Sequence, residues 1–373
     1  MNLGKTIFCC MLPSVLMLAA ACSGADGGTE EEERFTAASG GVFVLCEGNY
    51  NSGNASLSYY DPKTKRVENG VFRRANGRKL GDTGQSILIH DGVAYVAVEN
   101  SGIVWGIDVK TFKVKGQVVA SADTRIINPR YVHIVSDTKA YVTDLYSPYI
   151  NVFNPKTFEW TGAISTGQAA SRGYCSTEEM VQVGKWVYTN CWSYSNKLLA
   201  IDSESDLMAG EITLGSWQPK SMKADRNGKL WVITDGGYST GDESFGDDVP
   251  HLYRIDPLTA TVEMDQTLDT DEANVQIEMN AARDVVYIIN NDIYRMGITD
   301  AHLPVRPFIS APTDSKGRRH KLYGIGVNPN GGDIYVADAV DYAQSGVVYR
   351  YDADGVLIDQ FRVGINPNHF AFQ

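Results

Sequence analysis

Seven short runs of β-branched and aromatic residues punctuate the chain. They are Val42-Phe43-Val44-Leu45, Ala94-Tyr95-Val96-Ala97, Ala140-Tyr141-Val142-Thr143, Trp186-Val187-Tyr188-Thr189, Leu230-Trp231-Val232-Ile233, Val286-Tyr287-Ile288-Ile289 and Ile334-Tyr335-Val336-Ala337. Residues of these types suit the pleated surface of a sheet. Turn residues precede most of the runs: Asp91-Gly92, Asp137-Thr138, Asn227-Gly228 and Asn330-Gly331. A second phrase follows at a steady distance. It reads Tyr60-Asp61-Pro62-Lys63-Thr64, Ile107-Asp108-Val109-Lys110-Thr111, Phe153-Asn154-Pro155-Lys156-Thr157, Ile201-Asp202-Ser203-Glu204-Ser205, Ile255-Asp256-Pro257-Leu258-Thr259 and Tyr351-Asp352-Ala353-Asp354-Gly355. Its Asp or Asn anchors lie 46 to 54 residues apart up to Asp256, and from Asp256 to Asp352 is two such steps. A degenerate copy is therefore expected near Ile298-Thr299-Asp300. In each phrase an apolar strand ends in a tight turn, because Asp and Asn bond readily to the backbone just ahead of them.

Each repeat thus predicts four short strands, which is the grammar of a propeller blade. No helical period competes over any long window. A β-sandwich or two stacked all-β domains would not call for seven units of one grammar. The expected fold is all-β: a seven-bladed β-propeller with four antiparallel strands per blade. The first unit begins directly at its second strand, so residues 366–372 are expected to supply the missing innermost strand and close the ring.

The N-terminal end predicts export. Lys5 precedes an apolar stretch over residues 7–21, interrupted by Pro13 and short for a spanning helix. It runs through Ala19-Ala20-Ala21 into Cys22, the pattern of a lipoprotein signal cleaved before a cysteine that is then acylated. The chain reads as a signal peptide over 1–21, a lipidated Cys22 with a flexible acidic tether over 22–40, and a propeller over 41–373. The tether carries the acidic run Glu30-Glu31-Glu32-Glu33 and has too few apolar residues to order itself. Membrane association is expected through the lipid. A net charge of −12 argues against a nucleic-acid partner, which would need clustered Lys and Arg. Three cysteines remain beyond the anchor. Cys175 and Cys191 flank a predicted hairpin and form a candidate disulfide in an oxidising compartment, while Cys46 reads as a buried small apolar residue.

Strand order assigns the tight turns to one face of the ring and the longer loops to the other. Those loops cover residues 47–55, 144–149, 190–196, 235–250 and 338–346. They and the blade connections bring Tyr146, Tyr149, Tyr174, Trp192, Tyr194, Trp217, Tyr238, Tyr323 and Tyr342 to one face among Asn, Ser and Gly. Such a mixture makes a binding surface, with rigid contact area and adaptable hydrogen bonds; packing between blades would account for some of these rings. Arg130 lies at a blade connection, where it could meet an anionic group. No catalytic elbow or phosphate-gripping loop occurs, and the six histidines show no metal spacing. The acidic loop 242–248 offers oxygens of the kind calcium takes, but a solvated loop is the preferred reading, and no metal site is expected.

Residues 43–61, centred on Cys46-Glu47-Gly48-Asn49-Tyr50-Asn51-Ser52-Gly53-Asn54, resemble the opening of a Bacteroidetes family of lipoprotein propellers of the BtuG type. Leu80-Gly81-Asp82-Thr83-Gly84-Gln85 adds to the likeness. Usual members read Asn-Glu-Gly where this chain has Cys46-Glu47-Gly48. The resemblance implies a non-enzymatic surface lipoprotein of the outer membrane that captures cobalamin or another corrinoid and passes it to a TonB-dependent transporter of the BtuB type. It implies walls from Tyr146, Tyr149, Trp192, Tyr194, Trp217, Tyr238 and Tyr342, with Asn51, Gln85, Gln218 and Asn274 binding the ligand's amides. Two other functions remain open: a lactonase-like hydrolase with a metal in the central channel held by groups such as Glu178, Asp225 and Glu278, and a protein-binding scaffold without a small ligand.

Overall fold

The computed structural model describes residues 36–167, 176–239, 244–245, 249–268 and 274–373. Cys22, Tyr174, Cys175 and most of the acidic loop 242–248 lie outside these, as do the signal and tether up to residue 35. Among the described residues no helix is long and apolar enough to cross a membrane.

The described chain forms a seven-bladed β-propeller. Blades two to five and seven are four-stranded sheets in simple sequence order, broken in the fifth only by a small hairpin, Tyr238–Ser239 with Ser244–Phe245. The first blade is completed from the other end of the chain: Pro367–Phe372 lies inside Val42–Cys46, followed by Ser56–Asp61 and Arg66–Glu68. Val42 pairs with Phe372, and Leu45 with His369. The innermost strands touch in cyclic order, so the ring is closed by the C-terminal strand as the sequence predicts.

The local chemistry of the repeat is visible at each turn between third and fourth strands. Asp61 Oδ1 accepts the Lys63 amide at 2.9 Å, Asp108 that of Lys110 at 3.0 Å, Asn154 that of Lys156 at 2.9 Å, Asp202 that of Glu204 at 2.9 Å, and Asp256 that of Leu258 at 3.0 Å. The sixth blade departs from this grammar. Only Gln276–Met279, Val285–Asn290 and Asp292–Gly297 form strands, and its outer position is taken by a single bridge between Ile293 and Ile309. Asp300 turns back to the Gly297 amide at 2.7 Å instead of starting a returning strand.

The core is a ring of interfaces between successive blades. One cluster joins Tyr95, Val104 and Val118 of the second blade to Val132, Val142 and Phe153 of the third, and comparable clusters join later pairs. Each second strand is covered on both sides by neighbouring blades, so Val42–Cys46, Val93–Val98 and Leu230–Thr234 are buried throughout. The outer strands meet water and alternate, as in Val114–Val119. Ala37 donates to the Lys110 carbonyl and Ala38 accepts from the Tyr59 hydroxyl, which fastens the chain to the outside of the ring just before the first blade.

Candidate ligand-binding site

The inner strands share a device that the sequence does not announce. In six blades a β-bulge follows the first paired residue of the inner strand. A bulge frees its extra residue from the ladder and re-aims its side chain. The bulged positions hold Gln85, Arg130 with Tyr131, Glu178 with Glu179, Lys220, Tyr323 and Asn368, and all of these line one cavity at the centre of the ring. Asn274, just ahead of the sixth inner strand, lines it too. The cavity has a volume of about 540 Å³, within the range of small-molecule sites. Loop residues Glu47, Glu99, Leu145, Tyr146, Trp192 and Tyr194 line it as well, all from loops between second and third strands on the loop-rich face.

The walls carry a buried charge network. Arg130 Nη1 bonds Glu99, and its Nε donates to Glu178 Oε2 at 2.8 Å. Burial opposes the Arg130 charge, yet Glu178 and Glu99 together raise its proton affinity above the ordinary value. Lys223 pairs in the same way with Glu179 and, at 3.7 Å, with Glu278. Lys220 donates to Asn274 Oδ1 at 3.1 Å, and burial lowers its proton affinity. Glu47 accepts from the Tyr323 hydroxyl at 2.7 Å and from Asn368; burial raises its carboxyl above the usual range despite these donors. Burial pushes Glu178 up to about 7, against the pull of Arg130.

Two rim aromatics are held in unusual backbone conformations. Tyr194 and Tyr342 have φ of 56° and 63°, in the left-handed region that costs a non-glycine residue roughly 1 kcal/mol. Trp192 is fixed by its Nε1, which donates to Asp235 Oδ2 at 2.9 Å, and its ring faces the Arg130 guanidinium at 5.7 Å.

Of the residues singled out from the sequence, the structure brings Gln85, Arg130, Tyr146, Trp192, Tyr194, Asn274 and Tyr323 together around the cavity. Tyr342 stands next to it, edge-on to Tyr323 at 5.6 Å, in an adjoining cavity of about 450 Å³ that shares Asn274. Four others do not converge there. Asn51 is exposed and accepts from Asn100 at 3.0 Å. Tyr149 begins the third strand of its blade and lies under Arg125 at 4.9 Å. Gln218 is buried, and its backbone braces Ser195 and Asp235. The carbonyl of half-buried Trp217 accepts the Gly236 amide. The Tyr238 side chain lies outside the described residues. The bonding partner expected for Cys191 does as well; Cys191 itself is buried at the end of a second strand. Cys46 is fully buried, which pushes its thiol up to about 12. Asp225 sits at a tight turn, accepting from Trp231 Nε1 at 3.0 Å and from the Asn227 and Lys229 amides, so it does not join Glu178 and Glu278 in the channel. Sequence reasoning missed Glu47, Glu99, Glu179, Lys220, Lys223, Asn368 and His369. Among the described residues, His90, Asp91 and Asp137 also bring ligand-type atoms close together, but at tight turns, with Asp137 bound to Lys156.

His369 gives the site a measurable pH signature. Burial, with Lys223 and Arg130 nearby, lowers it from 6.5 to about 3. Between those values the unfolded chain takes up a proton that the folded chain refuses. This contribution to stability is whole above pH 6.5 and is lost as pH falls toward 3. Glu178 acts in the opposite sense: its contribution is full below 4.5 and is lost as pH rises through about 7. His369→Gln should therefore reduce the loss of stability between pH 6.5 and pH 4 by about 2–3 kcal/mol. Urea melts at several pH values measure it, and parallel curves for wild type and variant would refute it.

Comparison with known proteins places this architecture. A model of the family described as "Domain of unknown function (DUF5074)" matches residues 40–372, nearly the whole propeller. The chain belongs to this family. Among solved structures, the DUF5074 chain is similar to a quinoprotein alcohol dehydrogenase-like protein from Bacteroides thetaiotaomicron VPI-5482, with 16% identity and a TM-score of 0.64 over 88% of this chain and 77% of that one. It is also similar to a Bacteroides uniformis ATCC 8492 protein provisionally described as a 6-phosphogluconolactonase, at 15% identity and a TM-score of 0.59, covering 90% of this chain and 100% of that one. At such identities the likeness concerns the fold alone. No curated protein matches the DUF5074 chain.

Proposed function

We propose that this DUF5074 protein is a capture protein, held at the outer membrane through a lipid on Cys22, that binds cobalamin or a related corrinoid and delivers it to a TonB-dependent transporter of the BtuB type. The observation that carries the reading is the convergence of the loop aromatics Tyr146, Trp192 and Tyr194 with Gln85 and Asn274 around one central cavity. A corrinoid is a broad disc fringed with amides. Its flat face suits the aromatic side chains, and its fringe groups suit the polar side chains of the cavity lining. The resemblance in residues 43–61 favours the same ligand class.

The channel carboxylates favour binding over metal-assisted hydrolysis. Arg130 is bonded to Glu99 and Glu178, and Lys223 to Glu179 and Glu278. These cations take up carboxylate oxygens that a metal would need, and the Glu178 Oε1 left over is a single ligand atom where a metal takes several. Isothermal titration of the mature chain with cyanocobalamin should give saturable heat and a red protein after gel filtration. Trp192→Ala should weaken binding by about tenfold or more, as loss of a central aromatic anchor does. No heat and no bound colour would reject the proposal.

A further inference from the structure

Glu178 is only 3% exposed and lines the cavity wall. Its Oε2 is taken by Arg130, while its Oε1 is buried with no hydrogen-bond partner. An unsatisfied buried acceptor costs about 1–3 kcal/mol, and a charged one more. His369, on the strand that closes the ring, lines the same cavity, and its Nε2 is also buried and unpartnered. In the tautomer protonated at Nδ1, that nitrogen is a second acceptor.

The charge balance points the same way. Five carboxylates line the cavity against the three cations Arg130, Lys220 and Lys223. All three cations are already engaged, Arg130 and Lys223 with two carboxylates each and Lys220 with Asn274. A hydrogen-bond donor entering the cavity would satisfy an orphaned acceptor. An incoming carboxylate would meet repulsion and find no cation uncommitted to another group.

We infer that this part of the cavity wall is a donor-reading subsite, in which Glu178 Oε1 receives the N–H of a primary amide or ammonium group carried by the captured ligand, with His369 Nε2 as a second acceptor. This deepens the capture reading and rests on it. For a corrinoid, the group is one particular peripheral amide. The subsite selects the intact amide and rejects the carboxylate formed by its hydrolysis.

The test pairs a change in the ligand with a change in the protein. The probes are cyanocobalamin and its monocarboxylic derivatives, each with a single peripheral amide replaced by a carboxylate, titrated at pH 8. With the wild-type chain, one derivative should bind about 100-fold more weakly than cyanocobalamin, and the others within about threefold of it, since a charge-assisted bond replaced by like-charge repulsion is worth a few kcal/mol. With Glu178→Gln, cyanocobalamin should weaken by about tenfold, while the disfavoured derivative should regain at least tenfold, because the glutamine amide can donate to a carboxylate. Derivatives all within threefold of cyanocobalamin on the wild-type chain would overturn the subsite and leave capture standing. A wild-type chain that binds none of these compounds would overturn both. The ligand series on the wild-type chain decides the matter even if Glu178→Gln folds poorly.

Discussion

Deleting residues 364–373 is expected to destroy the cooperative melt of the propeller and leave a chain that aggregates on warming. Pro367–Phe372 is the innermost strand of the first blade, paired along Val42–Cys46. It also packs on the inner strands of both neighbouring blades, Leu322–Val327 and Gly84–His90. Its fit against the seventh blade is close: a Cβ at Gly324 would lie 2.0 Å from the Asn368 carbonyl oxygen, and one at Gly326 would lie 2.7 Å from Phe370 Cβ. Asn366 adds a bond from its Nδ2 to the Gly48 carbonyl at 2.8 Å, and its own carbonyl accepts the Glu47 amide. Deletion removes all of this and exposes the unpaired edge of Val42–Cys46, a template for aggregation. The combined loss is comparable with the whole stability of a typical domain, about 5–15 kcal/mol. Circular dichroism melts with light-scattering detection measure it. A circular permutant provides the control. The Gln373 amide bonds the Gly41 carbonyl at 3.0 Å, so a short turn can join the two. With new termini at the exposed segment around Val305, that permutant should melt as wild type does. An unchanged melting temperature in the deletion variant would show that the closing strand is dispensable.

The parts of the fold that could be read in the sequence are those where one physical cause acts in every blade. The turn anchors are visible because Asp61, Asp108, Asn154, Asp202 and Asp256 all perform the same backbone capping. The second strands are visible because two neighbouring blades bury both of their faces. The sixth blade is faint because its outer strand is missing and Asp300 caps backward. In the site, the loop aromatics Trp192 and Tyr194 line the cavity, whereas Tyr149 and Trp217 stand outside its lining. An aromatic at a loop boundary serves packing as readily as binding, and type alone does not distinguish them. The charged ring was harder to read because a bulge has no residue signature. Lys220 and Asn368 look like ordinary exposed positions until the register slips at Pro219 and Pro367. Aligning the repeats on their inner strands supplies the missing signal. A polar residue then falls just after the start of the inner strand in six blades, as Gln85, Arg130, Glu178, Lys220, Tyr323 and Asn368.

Replacing Arg130 with methionine should cost about 3–5 kcal/mol, the usual penalty for removing one partner from a buried ionic group. The side chain is nearly buried, and its guanidinium serves Glu99 and Glu178 at once. Methionine fills much of the volume but leaves two carboxylates facing each other without a counter-charge. Burial already raises Glu178 to about 7 with Arg130 present. Without it the carboxyl should stay protonated to higher pH, so the variant should suffer least below about pH 5 and most above pH 8. That sign separates an electrostatic loss from a packing loss, which would be the same at both ends of the range. Adding Glu99→Gln and Glu178→Gln to Arg130→Met removes the uncompensated charges and should recover most of the stability, since a buried ionic group can often be neutralised as a set at little cost. Arg130→Lys should fall between, because an ammonium lacks the planar fork that reaches two carboxylates from one side chain. Urea unfolding of the single, triple and lysine variants at pH 5 and pH 8 tests the series. A methionine variant equally destabilised at both pH values, and not rescued in the triple, would mean that Arg130 holds the channel by packing and that the charge network contributes little.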